Sequence, residues 1–147
     1  MQKITPFLWF DDQSEQAVEF YTSIFNNSKI GTITRYGEQG PGQPGTVMSA
    51  TFYLEGQEFT ALNGGPVFSF SPAISFFVHC EGGEVQQCGW LTDKFGVSWQ
   101  IVPTILGQLL NDPDPHRSSK VTQAMLKMVK LDIGLLKQAY EQAYEQS

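Results

Sequence analysis

Cysteine is nearly missing from this chain: its 147 residues contain two, Cys80 and Cys88. Two thiols in a chain of ordinary size make no disulfide framework, so both are expected free in a reducing compartment. Basic residues are scarce as well, with 9 Lys and Arg against 15 Asp and Glu, a net charge of −6 and a pI near 4.7. A phosphate backbone needs concentrated Lys and Arg, so a nucleic-acid partner is not expected. No run approaches the ~18 apolar residues of a membrane span. Met1-Gln2-Lys3 leads straight into a strand without signal-peptide anatomy. The expected location is the cytoplasm, with no membrane partner. The glycine-Lys-Ser/Thr loop of nucleotide-binding proteins is also lacking.

Aromatics, in contrast, are abundant: 11 Phe, 5 Tyr and 3 Trp in a chain that is 41% hydrophobic. They fill cores, and they line pockets for flat or apolar ligands. At this length one compact domain can bury roughly two-thirds of its unfolded surface.

The most informative feature is an internal echo. Ile4-Thr-Pro-Phe-Leu-Trp-Phe-Asp11 returns as Ile74-Ser-Phe-Phe-Val-His-Cys-Glu81, with Ile4/Ile74 and Phe7/Phe77 identical and Thr5/Ser75, Leu8/Val78 and Asp11/Glu81 alike in chemistry. Leu54-Glu-Gly-Gln-Glu-Phe-Thr60 pairs in the same way with Lys94-Phe-Gly-Val-Ser-Trp-Gln100, aligned on Gly56 and Gly96. Each copy reads as an opening strand and a closing strand–glycine–strand hairpin. A fold built twice from one motif can enclose a cleft between its copies, where function is expected.

In the first copy, residues 4–10 read as a buried strand. Ser14 is placed to cap a helix with Ala17, Val18, Phe20, Tyr21, Ile24 and Phe25 at helical spacing, ended by Asn26-Asn27. A strand over 29–36, a glycine- and proline-rich loop over 37–45, and a hairpin from Val47 to Leu62 turning at Glu55-Gly56 follow. No helix is expected after that loop, so it reads as a lid or an inert connection. Beyond Pro103 the spacing turns helical: Ile105, Leu106, Leu109 and Leu110, then a helix capped by Ser118 or Ser119 with Val121, Ala124, Met125 and Met128 on one face. A last helix from Asp132 carries Ile133, Leu136, Ala139 and Tyr140. The Met and Leu stripe of these helices reads as core or dimer contact and not as a cofactor site.

The second copy is short. From Asp11 to Gly56 is 45 positions, from Glu81 to Gly96 only 15. Residues 81–88 are too few for both a helix and a return strand, because such crossovers need at least ~10–12 residues. Either this copy has lost its helix, or a stretch near residues 80–84 is missing from the sequence as it stands. The second alternative is the expectation.

The duplicated unit, together with Phe20-Tyr21, Leu62-Asn-Gly-Gly-Pro66, Gln87-Cys-Gly-Trp-Leu-Thr-Asp-Lys-Phe-Gly-Val-Ser-Trp-Gln-Ile-Val-Pro103, Asp112-Pro-Asp-Pro115 and Ala124-Met-Leu-Lys-Met128, resembles the PhnB-like branch of the vicinal oxygen chelate (glyoxalase) superfamily. That branch often carries the label of a demethylubiquinone methyltransferase domain. The resemblance implies an α+β fold: two β-α-β-β-β units forming a curled mixed-sheet half-barrel pair, with C-terminal helices added, usually as a homodimer. One domain over 1–147 is expected, with the first unit at 3–66, the second at 72–104, and the C-terminal helices at 105–147. Superfamily enzymes place His, Gln or Glu on cavity-facing strands to hold a divalent metal. Here the corresponding positions carry Thr5 or Pro6, Thr60, Ser75 and Gln100, so no metal or other cofactor is expected.

On strand alternation His79 shares a face with Ser75 and Phe77, matching Thr5, Phe7 and Trp9 of the first copy. His79 and Gln100 are the candidate catalytic residues, the imidazole as base or ligand and the amide to orient a carbonyl or quinone oxygen. Trp9, Phe7, Thr5, Thr60, Asn63, Trp90 and Ser98 are expected to meet the ligand. Asp93 is expected to order the turn at 93–96. Cys88 reads as a plain buried thiol, and His116 as solvated. Methyltransferases that use a nucleoside cofactor carry a glycine-rich loop after the first strand, where this chain has Asp11-Asp-Gln-Ser14. The expectation is therefore a homodimeric binder of a small aromatic or oxygen-bearing molecule. The alternatives are a metal-dependent lyase or dioxygenase, a non-catalytic sequestering module, and a true methyltransferase.

Overall fold

The computed structural model describes residues 2–80 and 89–126. The chain divides into two compact units, Met1–Phe70 and Ser71–Ser147, parted between the two predicted copies. The fold is α+β, as expected: the described residues form two mixed sheets, neither closed into a barrel, and three helices. Among the described residues no helix is long and apolar enough to cross a membrane.

In the first unit β1 (Phe7–Phe10), α1 (Ser14–Ile24), β2 (Lys29–Arg35), β3 (Val47–Leu54) and β4 (Gln57–Asn63) follow in order. The strands form a four-stranded sheet ordered β1-β4-β3-β2, with only β1 and β4 parallel. Side chains alternate across a strand, so each strand sends every second residue to the helix side. Leu8 and Phe10, Phe59 and Ala61, and Ala50, Phe52 and Leu54 are buried there with Ala17, Val18 and Tyr21 of α1. Tyr21 stacks on Phe52 at 6.3 Å and Phe52 on Phe59 at 5.3 Å between ring centres. Burial of each such ring stabilises the unit by about 1.5–3 kcal/mol.

The second unit repeats the arrangement in shorter form. β5 (Phe76–Cys80), β6 (Gly89–Thr92) and β7 (Ser98–Pro103) make a three-stranded sheet ordered β5-β7-β6, and α2 (Thr104–Leu110) and α3 (Pro115–Leu126) follow. Again the opening and closing strands are parallel. Phe7 lies beside Thr60 in the first sheet and Phe77 beside Gln100 in the second. These are the positions that the two sequence echoes equate. Gly56 and Gly96 both sit at positive φ, 78° and 92°, which other side chains resist. Val102, Leu106, Leu109 and Val121 form a core cluster, with Ala124 and Met125 packed on it as the helical spacing requires.

Several elements begin elsewhere than the sequence indicates. β1 spans only Phe7–Phe10; Ile4 is 86% exposed and Phe7 59%. Pro6 has no N–H to continue the ladder. Ser14 does not cap α1. It is the first helical residue, fully buried, its hydroxyl without a partner. The acceptor for its backbone N–H comes instead from Asn63 Oδ1 on the neighbouring strand at 2.8 Å. α3 starts at Pro115, ahead of Ser118. Pro suits the first helical position, and Asp114 before it accepts the His116 N–H at 2.9 Å. The loop at 37–45 contains Gly40-Pro41-Gly42-Gln43-Pro44-Gly45, which has the Gly-x-Gly-x-x-Gly spacing. It joins β2 to β3, however, and offers no helix N-terminus to a phosphate. The expectations for Cys88, for a missing stretch near 80–84, for Met128 and for the helix from Asp132 fall wholly or partly on residues outside those described.

Asn63 also donates its amide to Val47 O at 3.1 Å, so it ties α1, β3 and β4 together. Replacing it by Ala should cost about 1–3 kcal/mol, the range for a lost cap and a buried group left unpaired. Urea unfolding is the measurement, with an unchanged m value and with Asn63→Asp, which keeps the acceptor, recovering part of the loss.

Candidate functional site

In the first unit the side of the sheet turned away from its buried core row carries Phe7, Trp9 and Thr60; in the second the candidate residues share their side of β7 with buried Val102, a member of that unit's core cluster. In the first unit Trp9 does not stand free. Its indole N–H donates to Gly65 O at 2.9 Å, Phe68 meets it edge-on at 5.0 Å, and a Cβ on Gly64 would lie 2.3 Å from its ring. Trp9 therefore anchors the chain after β4, while Phe7 keeps most of its ring in solvent. Thr60 sits between Phe7 and Thr51 in the ladder.

A polar cluster that the sequence reading missed centres on Glu58, two residues before Thr60 and hence on the same face. Its carboxylate accepts Tyr53 O–H at 3.1 Å and Thr5 O–H at 3.5 Å. Gln2 brackets its backbone, donating to Glu58 O at 3.0 Å and accepting from Glu58 N at 3.1 Å. Lys29 Nζ lies 5.1 Å above the Tyr53 ring. The Tyr53 phenol is raised above its ordinary 10.0, first because its proton is held by Glu58, then by the charge of Glu58, then by desolvation. Alternation alone, counted back from Thr60, could have found Glu58.

In the second unit the structure brings Ser75, Phe77, His79, Gln100 and Trp90 to one face. Gln100 Nε2 donates to Ser75 Oγ at 2.9 Å, and the Phe77 and His79 rings meet at 4.8 Å. Trp90 lies beside Gln100 in the ladder and is 51% exposed. Ser98 is buried, its hydroxyl 3.4 Å from that of Thr92. Asp93 orders the turn as expected: Oδ1 accepts the N–H groups of Phe95 and Val97 at 2.8 and 3.1 Å, and Oδ2 accepts the Trp99 indole at 2.8 Å. Asn63 stands apart from the other candidates, level with buried Phe10 on the helix side of its sheet.

A cleft of about 400 Å³ opens in the first unit beside Asp11, Asp12, Tyr36 and Gly64. The 37–45 loop forms one wall, closed at its base by paired bonds between Tyr36, Gly45 and Thr46. The ligand positions that the superfamily resemblance implies do not fit a divalent transition metal. Thr5 is engaged by Glu58 and Ser75 by Gln100, and the set offers hydroxyls and a neutral amide where thiolate, imidazole or carboxylate is needed. Among the described residues no group of three or more His, Cys, Asp and Glu side chains converges.

The geometry thus defines a class, an α+β protein of two units that each pair an opening strand in parallel with a closing one and set a ring beside a polar side chain in that pair. Sequence comparison gives the family. The pattern of the 3-demethylubiquinone-9 3-methyltransferase family matches residues 2–84 and 81–102, two stretches that meet where the second copy is short. The chain belongs to this PhnB-like family. It is similar to a PhnB protein from Bacillus cereus, provisionally named a 3-demethylubiquinone-9 3-methyltransferase: 41% identity over 70% of this chain and 100% of that one, TM-score 0.63. A Staphylococcus aureus protein is 32% identical over 69% of this chain and 95% of its own, TM-score 0.37. A Pseudomonas aeruginosa protein, 14% identical over 70% and 98%, shares the fold at TM-score 0.50. No curated protein matches.

Alkaline titration checks the Tyr53–Glu58 contact. Tyr53 should ionise later than an ordinary tyrosine, identified by its loss in Tyr53→Phe, and Glu58→Gln should bring it back toward 10.0. The folded chain holds this proton more tightly than the unfolded one. The contact's contribution is therefore complete below the ordinary value and lost as pH rises through the raised one. Wild type should lose stability more steeply than Glu58→Gln over that range in urea melts.

Proposed function

We propose that this protein binds a small, flat, oxygen-bearing molecule on these sheet faces. The observation that carries the reading is the repeated pairing of an exposed ring with a hydrogen-bonding side chain, Phe7 beside Thr60 and Phe77 beside Gln100. Rings give a flat ligand large contact at low entropic cost, and the Gln100 amide offers both a donor and an acceptor to ring oxygens. His79 and Trp90 flank Gln100 and would set the ligand's orientation. A quinone or hydroquinone ring, the kind of molecule in the family's name, has this chemistry.

Transfer of a methyl group is a separate matter. A nucleoside methyl donor needs a glycine-rich strand-to-helix turn with free N–H groups. Here that junction is Asp11-Asp12-Gln13-Ser14, and the Ser14 N–H is occupied by Asn63. The residues do not fit such a donor, and no transfer step is derived. The reading is of a binding protein, with His79 as the group available for proton exchange with a bound hydroxyl.

Titration with a tail-less dimethoxy-methyl-benzoquinone and its hydroquinone, followed by tryptophan fluorescence and calorimetry, tests this. Saturable binding is expected. Phe77→Ala and Gln100→Ala should each weaken it about three- to tenfold, the effect of losing one ring contact or one hydrogen bond. Absence of binding by both probes, in native protein whose mass shows no retained ligand, would defeat the reading.

A further inference from the structure

Asparagine followed by glycine occurs once in the chain, at Asn63-Gly64, and the fold makes use of both residues. Asn63 supplies the acceptor for the Ser14 N–H at 2.8 Å and donates to Val47 O at 3.1 Å. Gly64 has no substitute, because a Cβ there would lie 2.3 Å from the Trp9 ring. Packing therefore dictates a dipeptide that is chemically short-lived. A backbone nitrogen can attack the side-chain carbonyl carbon of an asparagine before it. Glycine, with no Cβ, gives that attack the least hindrance and the freest rotation.

The groups that this attack must move are all engaged. The attacking atom would be Gly64 N, whose N–H donates to Phe10 O at 2.9 Å. The target would be Cγ of Asn63, whose amide is fixed at both ends by Ser14 and Val47. The carbonyl between them, Asn63 O, accepts the Tyr36 O–H. Asn63 also ends the parallel ladder, level with Phe10, so turning its backbone toward ring closure breaks that register. Tyr36 in turn carries the 37–45 loop. Its N–H and C=O pair with Thr46 and Gly45 at 2.9 Å each, and a Cβ on Gly40 or Gly42 would come within 2.9 or 2.3 Å of its ring. Water has access, since Asn63 and Gly64 both line the cleft of the first unit.

We propose that Asn63-Gly64 is a latent deamidation site, held unreactive by Tyr36 and the loop seated on it. When the end of β4 opens, Gly64 N bonds to Asn63 Cγ, and its proton leaves with the side-chain nitrogen as ammonia, closing a succinimide. Water then opens that ring at either carbonyl, giving aspartate or isoaspartate. The balance is one water consumed and one ammonia released, with no oxidant and no cofactor. Aspartate keeps the acceptor for Ser14 but sets an oxygen against Val47 O where a donor stood. Isoaspartate adds a methylene to the main chain ahead of Gly64 and Gly65, the pair that holds Trp9. Either product loosens the junction of α1, β3 and β4, and neither reverts to asparagine. The loop between β2 and β3 thus acts as a clasp whose opening is recorded covalently. The inference does not depend on the ligand reading.

Peptide mapping by mass spectrometry during incubation at neutral pH tests it. Asn27, exposed and followed by Ser28, is the internal reference. In the urea-unfolded chain Asn63 should convert faster than Asn27, because glycine hinders the attack less than serine. In the native chain the order should reverse. Tyr36→Phe, which removes only the hydroxyl on Asn63 O, should speed conversion of Asn63 about three- to tenfold, the gain in open population from one lost hydrogen bond. Asn27 should convert at its former rate. Wild type held in enough urea to match the variant's global stability should convert Asn63 more slowly than the variant does. Should Tyr36→Phe misfold, Gly42→Ala, which pushes the loop off the Tyr36 ring, takes its place in the same comparison. Equal Asn63 rates in native and unfolded chains, or clasp variants no faster than stability-matched wild type, would overturn the proposal.

Discussion

Each unit depends on one long-range contact, the parallel pairing of the strand that opens it with the strand that closes it. Antiparallel neighbours can form through a short turn, whereas parallel ones need the chain to cross over and return. In the first unit that crossover includes α1, and the helix covers the sheet it has crossed. The pairing decides the chemistry too. It sets Phe7 against Thr60 and Phe77 against Gln100, and a slip of one residue would send those side chains to the other side of their sheets.

Polar side chains hold the joints that the ladders leave open. Asn63 joins a helix start to a strand end. Asp93 gathers two turn N–H groups and the Trp99 indole onto one carboxylate, and bonds to a charged acceptor contribute about 1.5–3 kcal/mol each. Glu58 holds Tyr53 and Thr5 on the opposite side of the first sheet from the core. In each unit the hydroxyl just before the opening strand, Thr5 or Ser75, is bonded from the closing strand. The partner is Glu58 in one copy and Gln100 in the other, a shift of two positions along the strand. Duplication preserved the contact while the side chain supplying it moved.

The second unit shows what a shortened repeat costs. Its sheet keeps the parallel pair and the glycine hairpin, the parts that define the repeat, and has one strand fewer among the described residues.

Much of this was legible in the residues. Strand alternation, helical spacing, the two glycines at positive φ and the echo from Ile4 to Ile74 are local or self-comparing signals. They yielded the α+β fold class. The missed points were non-local. Ser14 has the chemistry of a helix cap, yet the acceptor came from Asn63, 49 residues away. Trp9 looked free to stack on a ligand, but Gly64, Gly65 and Phe68 return to hold it. The sequence by itself determined which side chains share a face, because a strand's period is a property of its own backbone. Only the tertiary structure decided which of them are already engaged, because that depends on what the rest of the chain brings alongside.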